Sequence, residues 1–190
     1  MREVEIKLPV CNLKEFLEKL GRLRPRRVAE RKFEDNSVLD LPKLRLRENG
    51  LLLRVRNERG KGYLTFKGPP LANSIFKVRE ELETEVNPAE VLEIFRKLGY
   101  KVAFRYQKYR TVYQTRSGSR EKSRPRFVKV MIDETPIGNF VELEGDAKSV
   151  TRVAESLGYK KKDFIRESYY SLFLSHCRRN GRSARDMVFR

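Results

Sequence analysis

The sequence predicts an α+β fold, mainly β, arranged as one antiparallel domain. About eight segments alternate between apolar and polar residues as strands do, and helical segments separate them into about four successive groups. Repeated strand–helix–strand units, which build parallel sheets, do not occur in this order. No low-complexity linker divides the 190 residues, and a chain of that length forms one domain with a substantial core.

The individual elements follow from residue periodicity and from the residues that end each run. Strands are predicted at 3–8, up to about 40, and at 51–57, 63–67, 76–86, 102–113, 127–133 and 139–144. Helices are predicted at 13–20, 88–98, 147–157 and 167–177. Asn12 and Pro88 suit helix starts, whereas Gly21 and Gly99 suit helix ends. The segment Gln114 to Arg126, which contains Ser and Gly, is predicted to be a mobile loop.

The first strand carries an informative charge pattern, Glu3-Val4-Glu5-Ile6-Lys7. Because side chains alternate between the two faces of a strand, Glu3, Glu5 and Lys7 share one face and the apolar residues share the other. Two carboxylates about 7 Å apart along a strand, followed by an ammonium, suit a hard divalent cation and the polyanion that it neutralises. An ordinary strand with one solvated face explains the same five residues, but the pattern recurs on later strands.

Charged faces recur along most of the later strands. Residues that share a charged or polar face are Arg54 with Arg56, Thr65 with Lys67, the run Lys77, Arg79, Glu81, Glu83 and Glu85, Lys108 with Arg110, Lys129 with Asp133, and Glu142 with Glu144. An amphipathic sheet normally turns such a face outward to solvent. The predicted helices, however, need an apolar sheet surface to pack against, so a closed sheet would enclose its charged faces.

Enclosed charges require partners or a ligand, because burial of an unpaired charge is costly. Divalent metal ions match the carboxylates, while a phosphate chain matches the lysines and the bidentate arginines. The recurring charged faces therefore predict a tunnel that binds a triphosphate.

Composition narrows the range of partners and of chemistry. The formal net charge of +17 predicts an anionic partner, such as nucleic acid, a membrane surface or a phosphorylated small molecule. No apolar run is long enough to cross a membrane, and the first strand leaves no room for a signal peptide. Cys11 and Cys177 lack metal-ligand spacing and are interpreted as reduced thiols of a cytoplasmic protein. The single histidine, His176, has no evident triad partners, which argues against histidine-based catalysis.

The charged strands resemble the CYTH superfamily, the triphosphate tunnel metalloenzymes that include class IV adenylyl cyclases and thiamine triphosphatases. The matching segments, in order, are EVEIK at 3–7, LLLRVR at 51–56, YLTFKGP at 63–69, VREELETEV at 78–86, YQKYR at 106–110, MIDE at 131–134, FVELEG at 140–145 and ESYYSLFL at 167–174. This coverage predicts a domain at 1–175 and a basic tail at 176–190. The resemblance implies an eight-stranded antiparallel closed barrel, with a polar charged interior and helices packed outside.

The resemblance also implies roles for individual residues, with Mg²⁺ or Mn²⁺ as the cofactor. The implied metal ligands are Glu3, Glu5, Glu142, Glu144 and Asp133, with Glu142 and Glu144 ranked above Asp133. The implied triphosphate-binding bases are Lys7, Arg54, Arg56, Lys67, Lys108 and Arg110. Catalytic or supporting roles are implied for Glu81, Glu83 and Asp40.

Two enzymatic activities fit this pattern. The first is metal-dependent hydrolysis of tripolyphosphate, thiamine triphosphate or a nucleoside triphosphate. The second is a class IV adenylyl cyclase, which converts ATP to cyclic AMP and pyrophosphate. The cyclase signature carries a His-Phe pair ahead of the first glutamate, whereas only Met1 and Arg2 precede Glu3 here, so hydrolysis is favoured.

A basic protein that binds RNA or polyphosphate without catalysis is the alternative from a different class. Excess positive charge is concentrated in Arg22 to Lys32, Arg116 to Lys129 and the C-terminal tail. A solvated surface explains these runs as well, and weak electrostatic RNA binding is the sharper interpretation. No recognition-helix, zinc-finger or RRM signature accompanies them. The oligomeric state stays open, with a homodimer as one option.

Overall fold

Eight antiparallel strands form a closed barrel in the computed structural model, which describes residues 2–72, 74–117 and 126–190 (Arg2 by its backbone only). The strands are β1 (Arg2–Val10), β2 (Arg26–Asp40), β3 (Leu52–Glu58), β4 (Lys61–Lys67), β5 (Lys77–Val86), β6 (Lys101–Arg116), β7 (Phe127–Thr135) and β8 (Gly138–Glu144). Their order around the barrel is β1-β5-β4-β3-β2-β6-β7-β8. The predicted closed antiparallel barrel is therefore confirmed.

Within the described residues, the α-helices are α1 (Leu13–Arg22), α2 (Arg45–Glu48), α3 (Pro88–Lys97), α4 (Ala147–Ser156) and α5 (Tyr169–Arg179). Asn12, Asn87, Asp146 and Ser168 cap α1, α3, α4 and α5 by accepting backbone N–H bonds. No helix in the part of the chain that the structure describes is both long and apolar enough to cross a membrane. Cys11 and Cys177 are free thiols, exposed and buried respectively.

The hydrophobic core lies between the barrel wall and the helices, not inside the barrel. Ile6 and Leu8 of β1 point outward and are fully buried against residues such as Phe16 of α1 and Val150 of α4. This arrangement follows from the period-two alternation, because the apolar face must be covered by the amphipathic helices. The charged face of each strand is left for the interior.

Several element boundaries differ from the prediction. Strand β2 begins at Arg26, so most of the basic stretch before Lys32 is strand and pairs with β6 across two register shifts. Strand β6 extends to Arg116, so residues 114–116, which were predicted as loop, belong to the strand. Residues 118–125 of the predicted loop lie outside the described part of the chain. Helix α1 continues through Gly21, because the left-handed turn that ends it is at Arg24 (φ 48°).

A short connection after β2 was absent from the sequence prediction. Asp40 ends the strand, and its carboxylate accepts backbone N–H bonds from Leu41, Leu46 and Arg47 at 2.7, 2.9 and 3.2 Å. These bonds fold the residues between β2 and β3 into a tight turn that continues as α2. The charge of Asp40 is therefore largely committed to this turn.

Helix α5 and the tail pack at one end of the barrel. Lys7 forms reciprocal backbone bonds with Ile165, which guides the chain across this end. Tyr169 and Phe173 of α5 then pack against Phe104 and Tyr106 of β6. Met187 of the tail is fully buried and bonds to the β6 backbone beside Tyr106, so part of the basic tail docks on the barrel.

Candidate functional site: the charged tunnel

The interior of the barrel contains a cavity of about 560 Å³ lined by charged side chains. The predicted site residues that line it are Glu3, Glu5, Lys7, Asp40, Arg54, Arg56, Lys67, Glu81, Glu83, Lys108, Arg110, Glu142 and Glu144. Their convergence follows from strand alternation, because all of these strands turn the same face inward. Asp133 is the predicted residue that does not line the cavity.

Four carboxylates occupy the wall formed by β1 and β8. Glu5 lies directly opposite Glu144 in the strand register, and Glu142 lies opposite Lys7. Glu3 follows on the same face of β1, because it is two residues from Glu5. Adjacent strands are about 4.8 Å apart, so these acids form one local group on the tunnel wall.

Each of these carboxylates is paired with a lysine. The pairs are Glu3 with Lys67 at 2.8 Å, Glu5 with Lys77 at 3.3 Å, Glu142 with Lys7 at 3.1 Å and Glu144 with Lys129 at 3.2 Å. Among the residues that the structure describes, no three acidic, cysteine or histidine side chains converge as a metal-binding cluster. The acids therefore share a wall but point to separate cations.

The protonation of this wall depends on those pairings. Burial raises the pKa of Glu3, with a further contribution from Glu81, although Lys67 opposes the shift. Burial would also raise the pKa of Glu142, but Lys7 and Arg110 hold it well below its usual range. Glu142 is thus a stable carboxylate at neutral pH.

The opposite wall, formed by β3, β4 and β6, presents bases. Arg54 donates to the hydroxyl oxygens of Tyr106 and Thr65 at 3.1 Å each, which fixes its guanidinium while leaving it on the cavity wall. Arg56 donates to Glu83 at 3.0 Å. Arginines held in this way are preorganised to bind phosphate oxygens.

Asp133 organises two further bases from behind the wall. It is fully buried and accepts from Lys108 at 3.0 Å and from Arg110 through two bonds of 2.6 Å. Tyr169 donates its hydroxyl to the same carboxylate at 2.5 Å. The Asp133 oxygens are therefore occupied by these donors, and its position differs from that of the other predicted metal ligands.

Glu34 is a buried acid that sequence reasoning missed. It is only 2% exposed and lies 3.6 to 3.9 Å from Lys108, Arg56 and Arg110. Burial would raise its pKa, but these cations lower the pKa of Glu34 to about 2. The alternation on β2 offered little signal, because the face of Glu34 also carries Asn36 and Val38.

Lys77 and Arg79 are bases of the site that the predicted ligand set omitted. Both line the cavity and lie near Glu5. Burial lowers the pKa of Lys77 to about 8, and Glu5 opposes that shift. Their place on the charged face of β5 was visible in the sequence, but their role was not.

The end of the cavity nearest α5 is less polar. Val38, Leu52 and Phe104 contribute apolar surface there, on the strand faces that carry charged residues further in. Tyr170 of α5 lies at the same end, and its ring is 3.7 Å from the guanidinium carbon of Arg47. The cavity thus combines a deep charged region with a partly apolar and aromatic mouth.

The acidic wall fits a divalent ion in ligand type and in position. Carboxylate oxygens are the ligands that Mg²⁺ and Mn²⁺ prefer, and Glu5 and Glu144 lie on neighbouring strands. The lysine partners would have to turn away before two or more acids could share one ion. A triphosphate in the cavity supplies alternative acceptors for those lysines, so the wall suits an ion that binds together with the phosphate chain.

Comparisons with known proteins agree with this architecture. A Methanocaldococcus jannaschii protein is 28% identical over 184 residues, covering 90% of this chain and 98% of that protein. That protein is named as a predicted adenylate cyclase. A Vibrio parahaemolyticus structure with a similarly predicted cyclase name has a TM-score of 0.73 at 21% identity, covering 91% of this chain and 97% of that one.

A further solved structure is that of a Hippeastrum protein, a predicted adenylyl cyclase that reveals a dominant triphosphatase activity. It has a TM-score of 0.66 at 18% identity, covering 96% of this chain and 97% of that one, and therefore supports the fold alone. The CYTH domain matches residues 1–169. The chain belongs to the CYTH domain family.

Proposed function

We propose that this protein is a divalent-metal-dependent enzyme that hydrolyses triphosphates inside the barrel. The observation that carries the proposal is the mixed lining of the cavity: carboxylates that cluster on β1 and β8 lie beside and across from bases on β1, β3, β4, β5 and β6. A pure anion-binding site would gain nothing from the acids, because they repel phosphate. Both sets are needed when a metal ion and a phosphate chain bind together.

The bases would bind and neutralise the phosphate chain. Arg54 and Arg56 supply guanidinium groups, while Lys67 acts as a point charge on the neighbouring strand. Lys108 and Arg110, which Asp133 holds, would contact the phosphate chain from β6. Charge on the phosphoryl oxygens is stabilised best by groups that are already oriented, and here most of the orientation is built into the apo fold.

Glu5, Glu142 and Glu144 would hold the Mg²⁺ or Mn²⁺ ion, with Glu3 beside them on β1. A bound ion would supply Lewis-acid polarisation and charge neutralisation at the phosphate oxygens. Glu81 and Glu83 pair with Lys67 and Arg56 and would keep these bases aligned between substrates. Asp133 and Asp40 are better assigned to positioning than to metal binding, because their oxygens are already occupied.

Cyclisation of ATP is the second candidate, and a specific observation supports it. The partly apolar mouth, with the Tyr170–Arg47 stack, offers a surface for a planar organic group attached to the triphosphate. The archaeal relative is named as a predicted adenylate cyclase, whereas the Hippeastrum protein is described as having a dominant triphosphatase activity. Hydrolysis remains the leading proposal, because it needs only the metal-binding and phosphate-binding groups of the cavity, whereas cyclisation also needs a group that places the ribose 3′-hydroxyl.

One turnover screen tests both candidates. Tripolyphosphate, thiamine triphosphate and ATP are incubated with the protein and Mg²⁺ or Mn²⁺, and every product is identified. Orthophosphate release supports hydrolysis, whereas cyclic AMP with pyrophosphate supports cyclisation. Stable substrates under all conditions, with a folded protein, would overturn the proposed enzyme.

A further inference from the structure

The positive charge of the molecule lies almost entirely outside the tunnel. The cavity lining and its buried partners Glu34 and Asp133 contain nearly equal numbers of acids and bases. The lining of the cavity therefore accounts for almost none of the net charge of +17. A triphosphate in the tunnel does not explain this excess.

One surface cleft concentrates arginines from two separate basic runs. Strand β2 pairs with β3 only from Asp35 onward, but its pairing with β6 begins at Arg26, which lies opposite Gln114. Strand β7 then pairs Phe127 with Arg116. Paired residues share a sheet face, so these four side chains lie together. With Leu23 and Arg24 they line a cleft of about 780 Å³.

The three arginines of this cleft combine close spacing in one pocket with exposed side chains. Arg24, Arg26 and Arg116 are exposed and form no ion pair with any carboxylate in residues 2–72, 74–117 or 126–190. By contrast, surface Arg31 and Arg96 are each held by a glutamate. The three guanidinium groups are thus available to an external anion.

Backbone geometry and an aromatic ring complete the cleft. Arg24 adopts a left-handed conformation (φ 48°), and its N–H bonds to Gly21, which turns the chain into β2 at this point. Phe127 is 43% exposed and lies opposite Arg116 in the strand register. A basic groove with an aromatic platform is the arrangement that binds single-stranded nucleic acid, where phosphates contact arginines and a base stacks on the ring.

We propose that this cleft, formed by Arg24, Arg26, Arg116 and Phe127, binds single-stranded nucleic acid. Binding is electrostatic with one stacked base and without a sequence code, since the described residues of the cleft belong to strands β2, β6 and β7 and to the turn before β2. The cleft lies on the inward-turned face of β6 beyond Arg110, at the end of the barrel remote from α5. It is separate from the lining of the tunnel cavity.

The test measures binding of a fluorescent oligouridine of about 12 nucleotides, with a 5′-hydroxyl and without divalent metal, over a range of salt concentrations. The substitutions Arg24→Glu, Arg26→Glu and Arg116→Glu together should weaken binding by at least about 10-fold. They should also reduce the slope of log affinity against log salt by about 2, since each lost phosphate contact accounts for about 0.7. Phe127→Ala should weaken oligouridine binding by about 5-fold or more and leave duplex binding unchanged.

The matched control replaces three exposed arginines of the C-terminal region by glutamate: Arg178, Arg179 and Arg182. This control changes net charge equally and should alter affinity by about two-fold or less. Equal losses in both triple variants would overturn the proposal, as would binding of anionic phospholipid vesicles without oligouridine binding. Triphosphate turnover, if the proposed function holds, should stay within about two-fold in the cleft variant at about 0.15 M salt, so each proposal can fail separately.

Discussion

Tyr169 donates its hydroxyl to Asp133 at 2.5 Å, and this bond joins helix α5 to the deepest bases of the tunnel. Asp133 has no solvent exposure and also binds Lys108 and Arg110. Burial and the neighbouring Asp133 carboxylate raise the pKa of Tyr169 well above its usual range, so the hydroxyl remains a donor at neutral pH. Helix α5, through Tyr169 and Asp133, thereby helps to fix the positions of Lys108 and Arg110 on β6.

Replacing Tyr169 by Phe should make the positions of Lys108 and Arg110 less fixed while the protein stays folded. One buried hydrogen bond to a charged acceptor is lost, so the free energy of unfolding should fall by about 1.5–3 kcal/mol. Because Lys108 and Arg110 then hold the phosphate chain less rigidly, KM for a triphosphate should rise more than kcat falls. Tyr170→Phe is the control, since no hydrogen bond to the Tyr170 hydroxyl occurs in the described residues. A Tyr169→Phe enzyme with unchanged KM would contradict the positioning role.

Metal binding should depend on the phosphate chain. Each acid of the β1–β8 wall is held by a lysine, so Mn²⁺ alone should bind weakly. A non-hydrolysable triphosphate analogue draws the lysines away and should tighten Mn²⁺ binding by about 10-fold or more. Electron paramagnetic resonance of free Mn²⁺ measures this directly. Glu144→Gln should lose the coupling, whereas the exposed Glu155→Gln should keep it; tight Mn²⁺ binding without any phosphate would contradict the expectation.

Glu34 should make stability depend on pH in the acid range. Its pKa is about 2 in the folded protein against an ordinary value of 4.5, so its stabilisation is fully present above pH 4.5 and is lost as pH falls toward 2. Glu34→Gln should therefore cost about 3 kcal/mol near pH 7 and much less near pH 3. Urea unfolding of both proteins at each pH gives the two differences. A cost that is the same at both values would argue against the ionised Glu34.

Arg54 should not tolerate replacement by lysine. Its guanidinium donates to Tyr106 and Thr65 and still faces the cavity, a geometry that one ammonium group cannot reproduce. Arg54→Lys should weaken triphosphate binding by about 10-fold, measured by calorimetry with a non-hydrolysable analogue. Arg31→Lys, at an exposed pair with Glu134, is the matched control and should bind normally. Equal affinity in both variants would remove Arg54 from the phosphate site.

Much of the architecture could be predicted because it depends on local alternation. The charged faces of β1, β5 and β8 appear in the sequence as period-two patterns, and they correctly place Glu5, Glu81 and Glu142 on the cavity wall. The helix start at Asn12 likewise follows from the capping residue. These features require no knowledge of distant neighbours.

Other features depend on contacts between distant segments, which periodicity does not encode. The Tyr169–Asp133 bond spans 36 positions, and periodicity could not predict that the Asp133 oxygens accept hydrogen bonds from Tyr169, Lys108 and Arg110. Glu34 became part of the site only through the pairing of β2 with β6, which brings Lys108 opposite it. The lysine partners of the acidic wall similarly come from neighbouring strands. The alternation of residues within one strand therefore could not reveal that each acid pairs with a separate lysine.

Whether the Glu5 wall holds a catalytic metal ion is tested by following ATP and tripolyphosphate by ³¹P NMR in wild type and Glu5→Gln, with Mg²⁺ and with chelator. The triphosphate signal should decline in wild type with Mg²⁺ only and should persist in Glu5→Gln, whose melting temperature should stay close to that of wild type. Turnover that persists in chelator, or full activity in Glu5→Gln, would contradict a metal-dependent reaction on the Glu5 wall.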